Sequence, residues 1–499
     1  MSSQWQTIPN LGEIGMVPDQ MLQAAAPNAF DLVENFKPNG KQLVLAGGYR
    51  QIALAPDTDQ MTLFYVPEHG LDEERYLVSA GLSTVYSWDG TTWKNITGDD
   101  PTDYYGFRWT GGWLAGVLVL ANQTGVRTFD PSQDTTTQPM VFNGGPDGAG
   151  DDTWESLGWV GRVFRTWRQY CFAGDFWEAG FRYPSRVSWC AAVEPGQRPE
   201  DWVARPENDA GSVDLADTPG RVVEMVPMGD YLVIYKTDAI YLCEFIGGNE
   251  VFRFRWTGLR RGAAIPWGVA EARGAHYILG VDDIYVFDGS KVHSLILGRL
   301  REWWRADRGF HYQRWFVVYD HRHAEVRFHY CAGAAEWPNT ALCLHLDNQA
   351  WTVRRYAHDV RHQMIAPATD TFIPDVEMYG IADDHLRVFE DLFQQDGNPI
   401  PFLIRRKALF SEPGHDWVQV DCVKVAAEGP VMTLNLGDQI APSAPVTWRG
   451  DFLVDPATDY KTDARANGHQ IAYRLLGSAS EKLRLSHIAM LVQKSGKRG

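Results

Sequence analysis

The stretch DHRHAEVRFHY, which begins at Asp320, concentrates side chains that could bind a metal ion. His321 and His323 would lie on one face of a strand, and His329 and His345 could lie near them. A metal site needs three or four converging ligands that are themselves held by hydrogen bonds, and two histidines do not supply them. We therefore interpret the stretch as the polar surface of a strand, and we expect neither a metal ion nor a cofactor.

The usual patterns of phosphate binding and nucleophilic catalysis are also missing. No glycine pair is followed by the Lys-Ser/Thr of a phosphate-binding loop, and no G-x-S-x-G is present. Glycoside hydrolysis needs two carboxylates facing each other across a cleft, and 63 Asp and Glu residues single out no such pair. SWDGTTW, Ser87 to Trp93, nearly matches the turn box of sialidase propellers, but that box stabilises turns. We expect no enzyme, and a carbohydrate-active propeller stays open as an alternative.

Two stretches far apart in the chain, STVYSWDGTTWKNI and DDIYVFDGSKVHSLI, repeat one pattern. Each predicts a strand, a tight turn and a second strand, because apolar and aromatic residues fill the runs and Asp-Gly supplies the positive φ of a two-residue hairpin turn. We expect these residues, with Tyr241 from another copy, to form the core of a repeated blade. The residues are Tyr86, Trp88, Asp89, Gly90, Tyr285, Phe287, Asp288 and Gly289.

The same sequence of apolar run, polar turn and aromatic run occurs seven times between residues 75 and 391. The copies begin roughly 40 to 60 residues apart, which is the range of a four-stranded propeller blade. A lone hairpin cannot bury its apolar face, whereas blades packed around an axis bury one another. The sequence predicts an all-β, β-propeller-like body of six to eight degenerate blades, with seven favoured and each hairpin as the inner part of a blade. An irregular β sandwich is the alternative.

The two ends of the chain differ from this array. Met16 to Gly40 lacks strand alternation, and residues 1–60 are predicted to be an extended N-terminal arm and linker. We expect the arm, residues 1 to about 40, to order against a neighbouring subunit or an adaptor. Period-two runs return near the C-terminus, for example in WVQVDCVKV, and predict a separate antiparallel β-sandwich-like domain over 401–499. The propeller-like domain then takes residues 61–400.

Composition limits the compartment and the partners. The six cysteines form no Cys-x-x-Cys pair and lie in apolar runs, which indicates buried, reduced thiols. The N-terminus shows no secretion signal, and the longest apolar run is too short to span a bilayer, so we expect cytoplasmic synthesis and no membrane span. The net charge of −17 argues against a surface that grips nucleic acid.

Three pieces occur in combination between Thr237 and Trp304: an aIY-x-x-x-F-x-G hairpin, then G-x-x-x-P-x-x-V before Y-x-L-x-x-D-x-I-Y-x-F-D-G, then a Trp-rich segment. Together they resemble the tail proteins of short-tailed bacteriophages (podoviruses), variously called tail nozzle, tail hub, tail tubular protein B or packaged-DNA stabilisation protein. Residues 341–356 are similar to that family's strand, turn and x-W-x-x unit. Residues 399–425 are similar to the opening of its C-terminal domain.

The resemblance implies a virion structural protein with no catalytic residues to carry over. In that family several copies, typically six, ring the tail axis below the portal and the adaptor, extend the DNA channel and retain the packaged genome until ejection. We therefore expect a homohexamer in the virion tail, made in the host bacterial cytoplasm, that contacts the head-to-tail adaptor ring, tail fibres or spikes, and a tail needle or plug. A propeller scaffold for protein complexes is the other alternative.

The net charge also predicts how the lumen treats phage double-stranded DNA. An acidic lining would let the duplex pass without specific binding, since each phosphate paired by Lys or Arg adds salt-dependent grip. The insertion GGPDGAGDDTWESLGW is the candidate channel loop, through Asp147, Asp151 and Asp152, and a loop on the outer surface is the alternative. Lumen arginines such as Arg260, Arg261 and Arg301 would indicate the opposite design, a lining that grips the DNA.

Overall fold

A computed structural model describes residues 3–56, 60–67, 76–98, 108–122, 125–142, 152–178, 180–248, 250–367, 376–410, 417–442, 444–459 and 461–495. Within these ranges the chain is almost entirely β-structure. Helical residues are confined there to the α-helix Arg301–Asp307 and to two 3₁₀ turns, Leu22–Ala24 and Tyr312–Arg314. None of these helical segments has the length or hydropathy of a membrane span.

Most of the strands form seven antiparallel units of four, which we number blade 1 to blade 7. Blade 1 contains Gln60–Val66, Tyr76–Gly81, Val85–Trp88 and Trp93–Asn95, and blade 2 contains Thr110–Leu114, Val117–Ala121, Val126–Phe129 and Gln138–Pro139. Blade 3 contains Val160–Trp167, Tyr170–Glu178, Phe181–Trp189 and Gly211–Asp214, and blade 4 contains Val222–Met228, Tyr231–Lys236, Ile240–Phe245 and Phe252–Trp256. A short ribbon, Val141–Phe142 with Asp152–Thr153, joins blades 2 and 3.

The remaining blades complete the array. Blade 5 contains Val269–Ala272, Ala275–Leu279, Ile284–Phe287 and Val292–Ser294, and blade 6 contains Phe316–Asp320, Glu325–Tyr330, Thr340–His345 and Ala350–Arg355. Blade 7 takes three strands from the same region, Val360–Pro367, Val376–Ala382 and His385–Phe389. Its outer strand, Tyr49–Leu54, comes from the N-terminal side of the chain and pairs with His385–Phe389.

The seven blades close into a ring. The first strand of each blade lies against the first strand of the next, and that of blade 7 returns to that of blade 1. Seven hydrophobic clusters occur among the described residues. Six of them each fill one interface between neighbouring blades, including that between blades 7 and 1, which closes the circle. The seventh contains the interface between blades 5 and 6 and extends into strands outside the ring. The predicted all-β propeller with seven blades is confirmed. The outer strand of blade 7, Tyr49–Leu54, comes from the early part of the chain, and its pairing with His385–Phe389 holds the ring shut.

A second domain follows the propeller and has two sheets, as the predicted sandwich requires. One sheet contains Gln4–Ile8, Phe36–Asn39, Gln42–Leu45, Trp417–Glu428, Ala466–Gly468 and Arg484–Ser495. The other contains Leu32–Glu34, Asn398–Leu409, Met432–Gln439, Thr447–Val454 and Gln470–Ala479, with the short strands Gly15–Met16, Ala29–Phe30 and Gln394–Gln395 nearby. Apolar residues of both sheets, among them Val420 and Leu475, pack in one core.

The N-terminal segment is extended, as predicted, but it packs on its own chain. Its first strand pairs with Arg484–Ser495, and Leu32–Glu34 pairs with Asn398–Leu409 on one side and with blade 6 on the other. Phe30, Phe36 and Leu43 are fully buried there. The arm therefore does not need a partner to order: long-range strand pairing, which alternation within the segment does not reveal, holds its described residues in the second domain and, further along the chain, in blade 7. Its contact with a neighbouring subunit or an adaptor stays a prediction.

Candidate functional site

The two Asp-Gly turns have the same hydrogen bonds. Oδ1 of Asp89 accepts N–H bonds of 2.8 and 2.7 Å from the residues two and three positions later, and Oδ1 of Asp288 accepts bonds of 2.9 and 2.7 Å from the equivalent residues. Burial acts to raise the pKa of Asp89, but these bonds lower it to about 2. The backbone N–H donors likewise lower the pKa of Asp288 to about 2.

These turns differ from the two-residue hairpin that the sequence predicts. Each loop has four residues, since the flanking strands end at Trp88 and Phe287 and resume at Trp93 and Val292. Only the glycine takes a positive φ, +98° at Gly90 and +92° at Gly289. The aspartate instead caps the loop with its carboxylate. The repeated pair spans the third and outer strands of a blade, so it does not form the inner part that the sequence predicts.

The predicted blade-core aromatics occupy matching positions. Tyr86, Tyr241 and Tyr285 are each the second residue of the third strand in their blade. Trp88 packs against blade 7 and Phe287 against blade 4, which in both cases is the preceding blade of the ring. Tyr241 faces blade 3, again the preceding blade. The motif therefore marks the side of a blade that packs on its predecessor.

A tryptophan that the sequence did not single out lies on the propeller axis. Trp267 lies two positions before the first residue of blade 5, and its side chain and backbone contact the six other blades. Its ring lies 5.9 Å from that of Phe64 in blade 1 and 4.9 Å from that of His362 in blade 7, and the Arg165 guanidinium of blade 3 lies 4.2 Å above it. Its Nε1 donates to Trp109 O at the start of blade 2 at 2.8 Å, and its backbone N–H donates to the Glu224 carboxylate of blade 4 at 2.6 Å. Its carbonyl accepts a hydrogen bond of 2.8 Å from the backbone N–H of Val317 in blade 6.

The backbone of Trp267 is held in an unfavourable conformation. Its φ is +63°, in the left-handed region of backbone conformation. This conformation costs non-glycine residues free energy, and it persists only where surrounding contacts impose it. Trp267 thus fills the centre of the propeller and links all its blades. The signal in the sequence was Pro266-Trp267-Gly268 inside the G-x-x-x-P-x-x-V motif, where a bulky residue stands between two residues typical of loops.

A buried ion cluster, which we call the junction cluster, consists of Asp320, Glu325, Arg327, Arg354 and Glu390. Arg327 lies 2.5 Å from Glu325, 2.9 Å from Asp320 and 3.0 Å from Glu390. Arg354 lies 2.8 Å from Glu325 and also pairs with Glu390. Blade 6 supplies four members and the end of blade 7 supplies Glu390. Two arginines thus hold three carboxylates together at the edge of the propeller.

The junction cluster also binds the N-terminal segment. Lys37 Nζ lies 3.2 Å from Glu390, and the backbone N–H of Gly47 donates to the same carboxylate at 3.2 Å. Burial, and then the charge of Arg354, lowers the pKa of Lys37 to about 7. The cluster therefore joins the two domains through charged contacts.

The pKa values of the cluster follow from the balance of burial and charge. Burial acts to raise the pKa of Glu325, but Arg354 and Arg327 outweigh it and hold that pKa well below its usual range. Burial lowers the pKa of His345 to about 4, although Glu325 lies 3.2 Å away. Burial also acts to raise the pKa of Asp320, but its hydrogen bond to His323 and the charge of Arg327 lower that pKa. Asp320 and Glu325 are thus ionised and His345 is neutral at pH 7, which matches a structural ion cluster.

The candidate metal ligands do not converge. Within the described part of the chain no three of His, Cys, Asp or Glu are placed to hold a metal ion. His321 is exposed, whereas His323 bonds to Asp320 at 2.9 Å and His329 is fully buried. The interpretation of this stretch as a polar strand surface is wrong for Glu325, Arg327 and His329, because blade 6 is covered on both faces.

The predicted channel loop is only partly described. Asp147 and Asp151 lie outside the described residues. Asp152 begins the short strand that pairs with Phe142 and accepts a hydrogen bond from Ser156 Oγ at 3.4 Å. Two residues later, Trp154 is fully buried among aromatic rings of blade 3 and its flanks. The described end of the insertion is thus fixed between blades 2 and 3.

The cysteines agree with the sequence prediction. All six are free thiols and buried. Burial raises the pKa of Cys190 to about 12, and it also raises the pKa of Cys171 well above its usual range. Thiols of this kind are inert packing residues.

Comparisons with known proteins give structural neighbours at low similarity. No protein-family model matches the chain, and no curated protein matches it. The structure of BBS1N in complex with ARL6DN has a TM-score of 0.38 at 10% identity, over 68% of this chain and 96% of that chain. The Cps50 (Swd1) β-propeller domain of Myceliophteria thermophila has a TM-score of 0.39 at 10% identity, over 68% and 99%.

A third neighbour is the extracellular domain of a putative one component system from B. thetaiotaomicron. Its TM-score is 0.43 at 10% identity, over 81% of this chain and 48% of that chain. Similarity at this level carries no argument about function. The propeller assignment rests on the strand pairing and on the closed ring of first strands.

Proposed function

We propose that this chain is the tail nozzle subunit of a short-tailed bacteriophage. Six copies form a ring that extends the DNA channel below the portal and the adaptor and retains the packaged genome until ejection. The observation that carries the proposal is spatial. The three stretches that resemble the family, 237–304, 341–356 and 399–425, are far apart in sequence but contribute to one hydrophobic core, through Ile284, Trp351 and Ile404 for example.

That core lies where the propeller meets the second domain. It includes the end of blade 5, the helix Arg301–Asp307, the outer strand of blade 6 and both sheets of the second domain. The resemblance therefore concerns one contiguous region that sets the orientation of the two domains, as a subunit with a fixed place in a ring requires. The proposed partners are the adaptor ring, tail fibres or spikes, and a needle or plug, in a virion made in the host cytoplasm.

The axial tryptophan supports a particular route for the DNA. Because Trp267 fills the centre of the propeller, duplex DNA passes between subunits of the ring and not through a propeller. Trp267 also occupies the central channel in which a propeller enzyme could hold a small ligand, which weighs against the carbohydrate-active alternative.

Native mass spectrometry of the purified full-length chain tests the proposal. A single assembly with six times the 56.3 kDa mass of one chain is expected. A strictly monomeric chain at every concentration, with no association with adaptor or portal proteins of a short-tailed phage, would contradict the proposal and favour a monomeric propeller scaffold. Glycan hydrolysis by the monomer would favour the enzyme instead.

A further inference from the structure

A strip of arginines interrupts an otherwise acidic chain. The stretch FRFRWTGLRR, residues 252–261, carries four arginines in a protein of net charge −17. Its first half is the outer strand of blade 4, and its second half continues toward blade 5. Arg253 and Arg255 are exposed, and neither forms an ion pair with a residue in the described ranges. We call Arg253, Arg255, Arg260 and Arg261 the arginine strip.

Strand geometry aims the first two arginines in one direction. Phe252, Phe254 and Trp256 pack toward blade 3, so Arg253 and Arg255 project from the opposite face, toward blade 5. Residues two positions apart on a strand, such as Arg253 and Arg255, lie about 7 Å from each other. The same spacing separates alternate side chains of any strand added alongside. Two fixed positive charges therefore match two acidic side chains at alternate positions of an extended peptide.

The edge of this strand is free to pair. Phe252–Trp256 is the outermost strand of blade 4 in the described sheet. Register pairs Arg253 and Arg255 with Glu244 and Leu242, and Thr257 N–H donates to Ile240 O at 3.0 Å, which fixes the hydrogen-bonded positions. The backbone groups of Arg253, Arg255 and Thr257 therefore point into the sheet. By alternation, the N–H and C=O groups of Phe254 and Trp256 point away from it.

The arginine strip ends at a pocket of about 500 Å³ between blades 4 and 5. Arg260 and Arg261 line it, and each lies 3.9 Å from its nearest carboxylate, a loose contact for exposed side chains. Tyr285, a residue only 3% exposed, also lines the pocket, and its hydroxyl is buried without a hydrogen-bond partner among the described residues. The aspartates Asp238, Asp282 and Asp283 line it as well, so the pocket carries charges of both signs and the uncompensated positive charge of the surface lies at Arg253 and Arg255.

We propose that blade 4 binds an extended acidic segment of a partner protein, which adds as a fifth strand. Its backbone pairs with the free edge of Phe252–Trp256, and its alternate carboxylates contact Arg253 and Arg255. A peptide fits this surface better than a nucleic acid does. A phosphate backbone offers acceptors for the N–H groups but nothing for the exposed C=O groups.

The test uses the full-length protein and a short fluorescein-labelled peptide in which glutamate alternates with threonine. Fluorescence anisotropy should show binding that weakens as salt rises from about 50 to 200 mM. Replacing glutamate by glutamine, or N-methylating the backbone on the pairing side, should each weaken binding by about tenfold or more. The double variant R253E/R255E should weaken binding similarly, whereas R305E/R465E, which changes two exposed arginines elsewhere, should bind as wild type.

Three outcomes would overturn the proposal. An equal loss of binding in R305E/R465E would show that the peptide is attracted by the overall positive charge of arginines and not bound at a specific site. Tighter binding of a duplex DNA than of the peptide, abolished by R253E/R255E, would make the arginine strip a nucleic-acid surface. No binding by wild type would leave the arginines as charges that protect an edge strand from pairing. Circular dichroism of each variant checks that the fold is intact, and none of these outcomes depends on whether six copies form a ring.

Discussion

Replacing Trp267 should weaken the whole propeller, because this residue contacts every blade. Trp267→Ala removes the ring contacts with Phe64 and His362, the cation–π contact with Arg165 and the hydrogen bond to Trp109 O. Truncation of a packed tryptophan costs about 3 kcal/mol at the lower end of the usual range, which suits a half-buried side chain.

Comparison with Trp267→Gly isolates the backbone contribution. Glycine adopts a positive φ freely, whereas alanine in the left-handed region costs about 1 kcal/mol more. At φ +63° the glycine variant should therefore lose only about 2 kcal/mol and be the more stable of the two. In ordinary strand and helix positions glycine is the less stable, so the reversed order is a specific signature of this site.

Differential scanning calorimetry and urea unfolding followed by circular dichroism measure the order. Trp5→Ala is the matched control, because Trp5 is 39% exposed on an edge strand and its loss should cost below about 1 kcal/mol. Wild-type stability in both Trp267 variants, or a glycine variant less stable than the alanine variant, would refute the axial role and its strained backbone.

Three further changes test other parts of the structure, each by its melting temperature. Phe287→Ala removes a fully buried blade-core ring and should lower the free energy of unfolding by about 3 to 5 kcal/mol, whereas His321→Ala, at an exposed position, should cost little. Equal, small effects of the two changes would contradict the blade assignment. His329→Phe should stabilise the protein, because His329 is fully buried and neither of its ring nitrogens has a hydrogen-bond partner among the described residues. Burial holds the pKa of His329 well below 6.5, so the stability of the wild type should fall as the pH drops below about 6.5, and that of the variant should fall less steeply. Glu390→Gln should lower the free energy of unfolding by about 3 kcal/mol, because it leaves the buried cations Arg327 and Arg354 without a compensating charge. A loss no larger than that of the exposed control Glu302→Gln would show that the junction cluster is not stabilised by this charge.

The repeat could be read from the sequence because its signals are local. Alternating apolar residues and Asp-Gly turns identified seven copies, and five of them are the second and third strands of a blade. The copy at residues 314–330 is instead the first two strands of blade 6. A period-two alternation of apolar residues predicts a strand but does not indicate the position of that strand in its sheet.

The ring closure and the fully buried charges could not be read in this way. Tyr49–Leu54 joins blade 7 through pairing with residues more than 300 positions away, so nothing in its own sequence reveals the partner. Glu325 and Arg327 alternate with Val326 and Phe328, which is the pattern of a half-exposed strand. Both faces are buried because blade 7 covers the charged side, and only the fold supplies the opposite charges.

Negative-stain electron microscopy of the purified full-length protein tests the central claim most directly. Class averages should show a sixfold ring with a central opening wide enough for duplex DNA and seven-bladed propellers arranged around it. Single two-domain particles at every concentration, or rings whose only openings run through the propeller axes, would contradict the nozzle assignment.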